Sequence, residues 1–173
     1  MIAAAALFLA VMVAVRALRR RDAAKAIRAV SAVLLAAAVC AILLRTLHPY
    51  GTSTASVRIN LTPGDSIRDL FKADNLDAVQ NVCGNVALFA PIGLLGVLSL
   101  RWRASAVTAA AAAFSAVIEF AQLSVGGRWV DIDDVLLNSV GACLGAVGAQ
   151  VAIGTLQRRE ASRRPDEYRE SAR

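Results

Sequence analysis

Long apolar runs separated by short charged stretches dominate this chain, and strict alternation of apolar and polar positions is rare, so the pattern predicts helices. Five segments, near residues 2–18, 28–47, 82–100, 104–123 and 133–154, approach the roughly 20 apolar residues that a helix needs to cross a bilayer core. Between the second and third, Thr62-Pro63-Gly64-Asp65 offers a helix cap and a first-turn proline. Ile67, Leu70 and Phe71 follow at helical spacing, which predicts a short amphipathic helix lying on the membrane surface. Residues 157–173 are charged and lack apolar periodicity, as a disordered or loosely helical tail does. The expected fold is an all-α integral membrane bundle of about five transmembrane helices. Its parts are two N-terminal helices joined by a basic loop (1–47), a core with an outer loop and three helices (48–156), and a charged tail (157–173).

Composition agrees, with 57% hydrophobic and only 18% charged residues. The net charge of +6 could suggest nucleic acid, but 14 of the 19 Lys and Arg residues fall in three blocks beside apolar segments. These are Arg16 to Arg28, Arg101 with Arg103, and Arg158 to Arg173, all on one side of a five-crossing chain. By the positive-inside bias that side is cytoplasmic, which predicts an outer N-terminus, a cytoplasmic C-terminus and outward 48–80 and 124–132 loops. The order of the first segment, apolar and then basic, is the reverse of a cleavable signal peptide. No nucleic-acid partner is expected; the expected location is a bacterial cytoplasmic membrane. Trp102 and Trp129 fall at opposite interfaces, as anchoring indoles do. Cys40, Cys83 and Cys143 lie in apolar stretches without metal-site or redox spacing and are expected to be small buried hydrophobes, a Cys83–Cys143 disulfide being unsupported.

Ionisable and amide groups inside membrane helices are costly, so their grouping carries information. The third segment carries Asn81 and Asn85 on one face, and the fourth carries Glu119 and Gln122 about 6 Å below its outer end at 1.5 Å per residue. The fifth follows Arg128 and brings Asp131, Asp133, Asp134 and Asn138. If that helix begins near Asp131, then Asp131, Asp134 and Asn138 share a stripe, and the whole set meets in the outer leaflet. Each residue also has a plain structural use. Carboxylates suit a helix N-terminus, Arg128 can pair with Glu119 or Asp131, and amides join helices. Pro91 and Gly93 are expected to kink or thin the third helix, and Gly141, Gly145 and Gly148 to give the fifth a close-packing face. His48, beside Pro49, reads as an interfacial residue.

The ordered set Asn81-x3-Asn85-x2-Leu88-Phe89-x-Pro91-x-Gly93, Glu119-x2-Gln122 and Arg128-x2-Asp131-x2-Asp134-x3-Asn138-x2-Gly141 resembles the VanZ-like family over roughly residues 57–151. Asn60-Leu61-x-Pro63 resembles the family's preceding segment, with Gly64 where an aromatic residue is more typical. The resemblance implies a small helical bacterial membrane protein, whose namesake is associated with low-level resistance to teicoplanin-type lipoglycopeptides. By similarity it selects Asn81, Asn85, Glu119, Gln122, Arg128, Asp131, Asp134 and Asn138; Asp133 is added by position alone.

Three functions fit these residues. One is binding or modification of a cell-envelope component or amphiphilic glycopeptide-type antibiotic by an outward acidic and amide pocket. Membrane lipids, a lipid-linked envelope precursor or a lipoglycopeptide would then be its partners. A second is an intramembrane hydrolase or transferase acting on a lipid-linked substrate, with Glu119, Asp131 and Asp134 as candidate acid/base groups. No Ser-His, Cys-His or phosphate-loop motif accompanies them, so enzymatic activity stays open. No cofactor is expected, though the carboxylates could hold a divalent cation. The third is a structural membrane partner or oligomer built on the glycine faces. A transporter fits less well, because no acidic residue lies deep in the cytoplasmic half.

Overall fold

The computed structural model describes residues 22–46, 58–72, 76–125 and 129–171. The expected first helix near 2–18, and with it the N-terminal crossing, lies outside them, as do His48 and Arg128. The described chain runs α1 (Ala23–Thr46), β1 (Arg58–Asn60), α2 (Asp65–Asp69), α3 (Leu76–Leu100), α4 (Ala104–Val125), β2 (Trp129–Asp131) and α5 (Ile132–Ser171). The protein is thus a helical membrane bundle. Among the described residues, four long helices contain apolar spans at Ala23–Leu44, Leu76–Leu100, Ala104–Gln122 and Ile132–Arg159, each long enough to cross a membrane. These match the second to fifth apolar runs within a few residues, because a bilayer forces backbone hydrogen bonds to close inside each segment.

Helices α3 and α5 make the most extensive pairing in the bundle. Small residues set the spacing between them. A Cβ on Gly93 would fall 1.9 Å from the Ala142 carbonyl oxygen, and one on Gly145 would fall 1.9 Å from that of Ala90. The backbones approach this closely only because no side chain intervenes, which maximises dispersion contacts where lipid tails supply no hydrophobic drive. Gly141 meets Val86 in the same way, but Gly148 has nothing within 4 Å and takes no part in the packing face. Helix α3 continues through Pro91 from Leu76 to Leu100.

The apolar core is small. Phe89, only 1% exposed, packs with Ile42, Ile92, Ala111, Ile118 and Ala142, and its ring lies 6.3 Å from that of Phe114. A second cluster, with Val97, Ala104, Val107, Ala146 and Ala149, fills the other end. Large apolar side chains such as Val117, Phe120 and Leu144 face outward, as a lipid-facing surface requires. The three cysteines also lie on that outer surface, exposed and unbridged, which corrects the expectation that they are buried. Each lies among apolar neighbours in its helix, where hydropathy alone does not separate a core position from a lipid-facing one.

A three-residue turn joins α3 to α4, with Arg101 in the left-handed region at φ 60° and its amide bonded to the Val97 carbonyl. Arg28 of α1 donates from Nε to the Ser99 carbonyl near the same end. At the opposite end β1 and β2 pair in parallel, Asn60 opposite Asp131. This pairing ties the segment before α2 to the start of α5, and hydropathy gave no sign of it. The charged segment after residue 156 continues α5 as helix to Ser171.

Candidate functional site

The polar residues gather where α3 begins, α4 ends and α5 begins. Helix α5 starts at Ile132, and Asp131 caps it: its Oδ1 accepts the Asp133 amide at 2.9 Å. The same carboxylate accepts Asn60 Nδ2 at 3.4 Å on both oxygens, while Asn60 Oδ1 accepts the Thr62 amide at 3.1 Å. Asn60 therefore links the strand pair, the following turn and the α5 cap. On its other side the Asp131 amide donates to Glu119 Oε2 at 3.4 Å, which brings α4 to the same point.

Asp133 turns away from that cap. Only 2% exposed, it accepts the Gly64 amide on Oδ1 and the Ser66 amide on Oδ2, both at 2.7 Å. Gly64 occupies the cap position of α2 at φ 91°, ψ 4°, a conformation open to glycine and strained for other residues. The expected cap at Thr62 is thus replaced by a glycine turn whose amides a distant aspartate satisfies. The short helix predicted there exists, with only five residues, and Asp133 supplies what it lacks locally. Gly64, the departure from the family's aromatic preference, fits this turn.

Asp134 faces α3. Asn85 Nδ2 donates to its Oδ1 at 2.7 Å and to Asn81 Oδ1 at 3.0 Å, and Asn81 Nδ2 reaches Ser66 Oγ at 3.4 Å. The chain Ser66, Asn81, Asn85, Asp134 runs along the edge of the bundle, with Asn81 exposed and Asn85 and Asp134 half-buried. Asn138, one turn further along α5, faces α4 and donates to Ser115 Oγ at 2.8 Å. Both residues are buried, and Asn138 Oδ1 has no hydrogen-bond partner among the described residues. Glu119 stands one turn beyond Ser115 on the same face of α4, and it is buried, as is Gln122.

The structure therefore divides the sequence-selected set. Asp131 and Asp133 spend their oxygens on backbone and loop amides. Asn81, Asn85 and Asp134 form an open polar edge, and Glu119, Gln122 and Asn138 lie behind it in the bundle. Arg128 is outside the described residues. Sequence reasoning did not select Asn60, Ser66 or Ser115. Asn60 stands in the family-like segment Asn60-Leu61-x-Pro63, but Ser66 and Ser115 carry no spacing signal. Among the described residues, no three His, Cys, Asp or Glu side chains are grouped to hold a metal ion.

A family model described as VanZ/LLP1 matches residues 5–153, most of the chain and far more than the 57–151 stretch that carries the recognisable motifs. The chain belongs to the VanZ-like family. No curated protein and no solved structure matches it. Among the described helices, the matched region covers α1, α3 and α4 and the polar end, and it stops within α5 before the charged extension. The polar end of this VanZ-like protein is thus part of the family domain, whereas the arginine-rich helix beyond residue 153 lies outside the match.

Proposed function

We propose that the polar end of this VanZ-like bundle faces outward from a bacterial cytoplasmic membrane. There it binds a cationic or hydrogen-bonding group of an amphiphilic envelope component or lipoglycopeptide-type drug. The observation that carries this reading is Asn138. It is 7% exposed, and while its Nδ2 donates to Ser115, its Oδ1 lacks a partner among the described residues. A buried amide left half-satisfied requires an explanation, and a bound polar guest provides one. The open edge of Asn81, Asn85 and Asp134 offers two amides and a carboxylate at the surface beside it. A ligand anchored by a lipid tail would enter sideways between helices, polar group first. The outward orientation rests on the arginine blocks at the opposite end.

The test compares the purified wild type with Asp134→Asn and Asn138→Leu. Teicoplanin binding is followed by calorimetry, and co-purifying lipids by mass spectrometry. Both variants should keep their helical content and lose bound drug or lipid by about tenfold, the effect of one charge-assisted hydrogen bond. Unchanged binding in both variants, with the fold intact, would refute the proposal. Chemical turnover of a co-purified lipid that stops in Asp134→Asn would replace binding with intramembrane catalysis. A loss of fold in both variants, with Asn81→Ala binding normally, would leave the polar end a structural joint.

A further inference from the structure

The opposite end of the bundle holds a crevice of about 700 Å³ between the start of α1, the α3–α4 turn and α5. Lys25, Arg28, Arg101 and Arg103 line it against a single carboxylate, Asp22, whose Oδ2 pairs with Lys25 Nζ at 2.7 Å. Four cations and one anion leave a net charge of +3 on the wall. The rest of the lining includes apolar side chains, with Val97 buried and Ile153 and Leu156 nearer the surface. Trp102, half exposed, borders this crevice and also a second groove of about 140 Å³. That groove is formed by apolar side chains of α1, α3 and α4, among them Leu35, Ile92 and Phe114.

From this arrangement we infer a binding site for one anionic phospholipid, its phosphate held by the arginines and an acyl chain laid in the apolar groove beyond Trp102. Charge complementarity selects an anion, since the crevice offers three guanidinium groups and one ammonium. The guanidinium fork suits phosphate oxygens. The position selects a lipid over a soluble anion, because the cations ring the ends of membrane-crossing helices and the crevice shares Trp102 with an apolar groove where an acyl chain belongs. Two further features indicate that the cations are placed. Arg28 is anchored through Nε to the Ser99 carbonyl at 3.0 Å, which leaves its terminal nitrogens for the crevice. Arg101 holds a left-handed backbone at φ 60°, where glycine sits with less strain, so the position keeps a guanidinium at a conformational disadvantage. The indole of Trp102 lies between charge and hydrocarbon, the level at which such rings collect.

The experiment uses the full chain with Trp129→Phe, so that Trp102 is the remaining tryptophan, reconstituted in phosphatidylcholine vesicles. Fluorescence quenching by brominated phosphatidylglycerol is compared with quenching by brominated phosphatidylcholine. The site predicts preferential quenching by the anionic lipid. Each of Arg101→Gly and Arg103→Gln should lower that preference by about fivefold, the effect of about 1 kcal/mol per basic residue near an anionic surface. Arg101→Gly also keeps the backbone conformation, so it separates loss of the guanidinium from loss of the turn. The control Arg158→Gln with Arg159→Gln removes charge from the same end outside the crevice and should leave the preference intact. Three results would overturn the inference: an equal loss in the control, equal quenching by both lipids in the wild type, or displacement of the lipid by millimolar inorganic phosphate. The last would make this a soluble-anion site. Circular dichroism at each step confirms the helical fold, and if Arg103→Gln fails to fold, Arg101→Gly alone decides.

Discussion

Asp133→Asn tests the division of the polar end into tethers and an open edge. In the native protein its carboxylate is buried and accepts two amide bonds of 2.7 Å, from Gly64 and Ser66. Hydrogen bonds to a charged group contribute about 1.5–3 kcal/mol each, and asparagine retains one neutral acceptor while setting its own NH2 against the second amide. One bond is therefore lost and the other weakened, a change of about 2–3 kcal/mol in the free energy that closes the loop onto α5. Amide exchange in the native state reads that quantity directly, since opening exposes the two N–H groups to solvent. Hydrogen exchange followed by mass spectrometry on the segment containing residues 64–66 should accelerate by on the order of 30–150-fold. The α3 and α5 cores should exchange as before. Asp134→Asn, which touches neither amide, should leave this segment protected. If the 64–66 amides exchange at the wild-type rate in Asp133→Asn while ligand binding disappears, Asp133 acts on the ligand and its assignment as a tether is wrong.

Gly145→Ala places a methyl 1.9 Å from the Ala90 carbonyl, so α3 and α5 must separate; thermal unfolding in detergent should show a loss of about 1–3 kcal/mol. Gly148→Ala, with nothing within 4 Å, should instead be neutral or stabilising by up to about 1 kcal/mol, and equal losses at both sites would refute the packing account. Ser115→Ala removes the partner of Asn138 Nδ2 and should destabilise by about 1–2 kcal/mol, whereas adding Asn138→Leu to it should recover most of that; no recovery would mean that the pair is not coupled. At the start of α1, the hydrogen bonds from Lys25 hold the Asp22 carboxyl below its usual range. That capping is complete above the ordinary aspartate pKa and is lost as the pH falls through the lowered one. NMR of the Asp22 side chain should show the depressed titration, and it should move back toward the ordinary value in Lys25→Ala.

The sequence by itself determined the membrane-crossing helices. In hydrocarbon a long apolar segment has one way to satisfy its backbone, so the runs at 28–47, 82–100, 104–123 and 133–154 could be read as helices without knowledge of their neighbours. It also determined which residues are polar inside those helices, and so most of the candidate site, because a polar group in an apolar run stands out wherever it ends up pointing. Direction and partner were decided by the tertiary structure. Asp131, Asp133 and Asp134 are nearly interchangeable in sequence, yet successive helical positions turn by about 100°, so the first caps α5, the second reaches back to Gly64 and the third faces Asn85. Ser66 entered the site through contacts across 67 and 15 residues, with Asp133 and Asn81, and Ser115 through one across 23, with Asn138. The β1–β2 pairing spans a comparable distance and leaves no periodic trace in three-residue strands. The cysteines show the same limit, since each sits among apolar neighbours that could face either core or lipid, and the packing of the adjoining helices alone decides which.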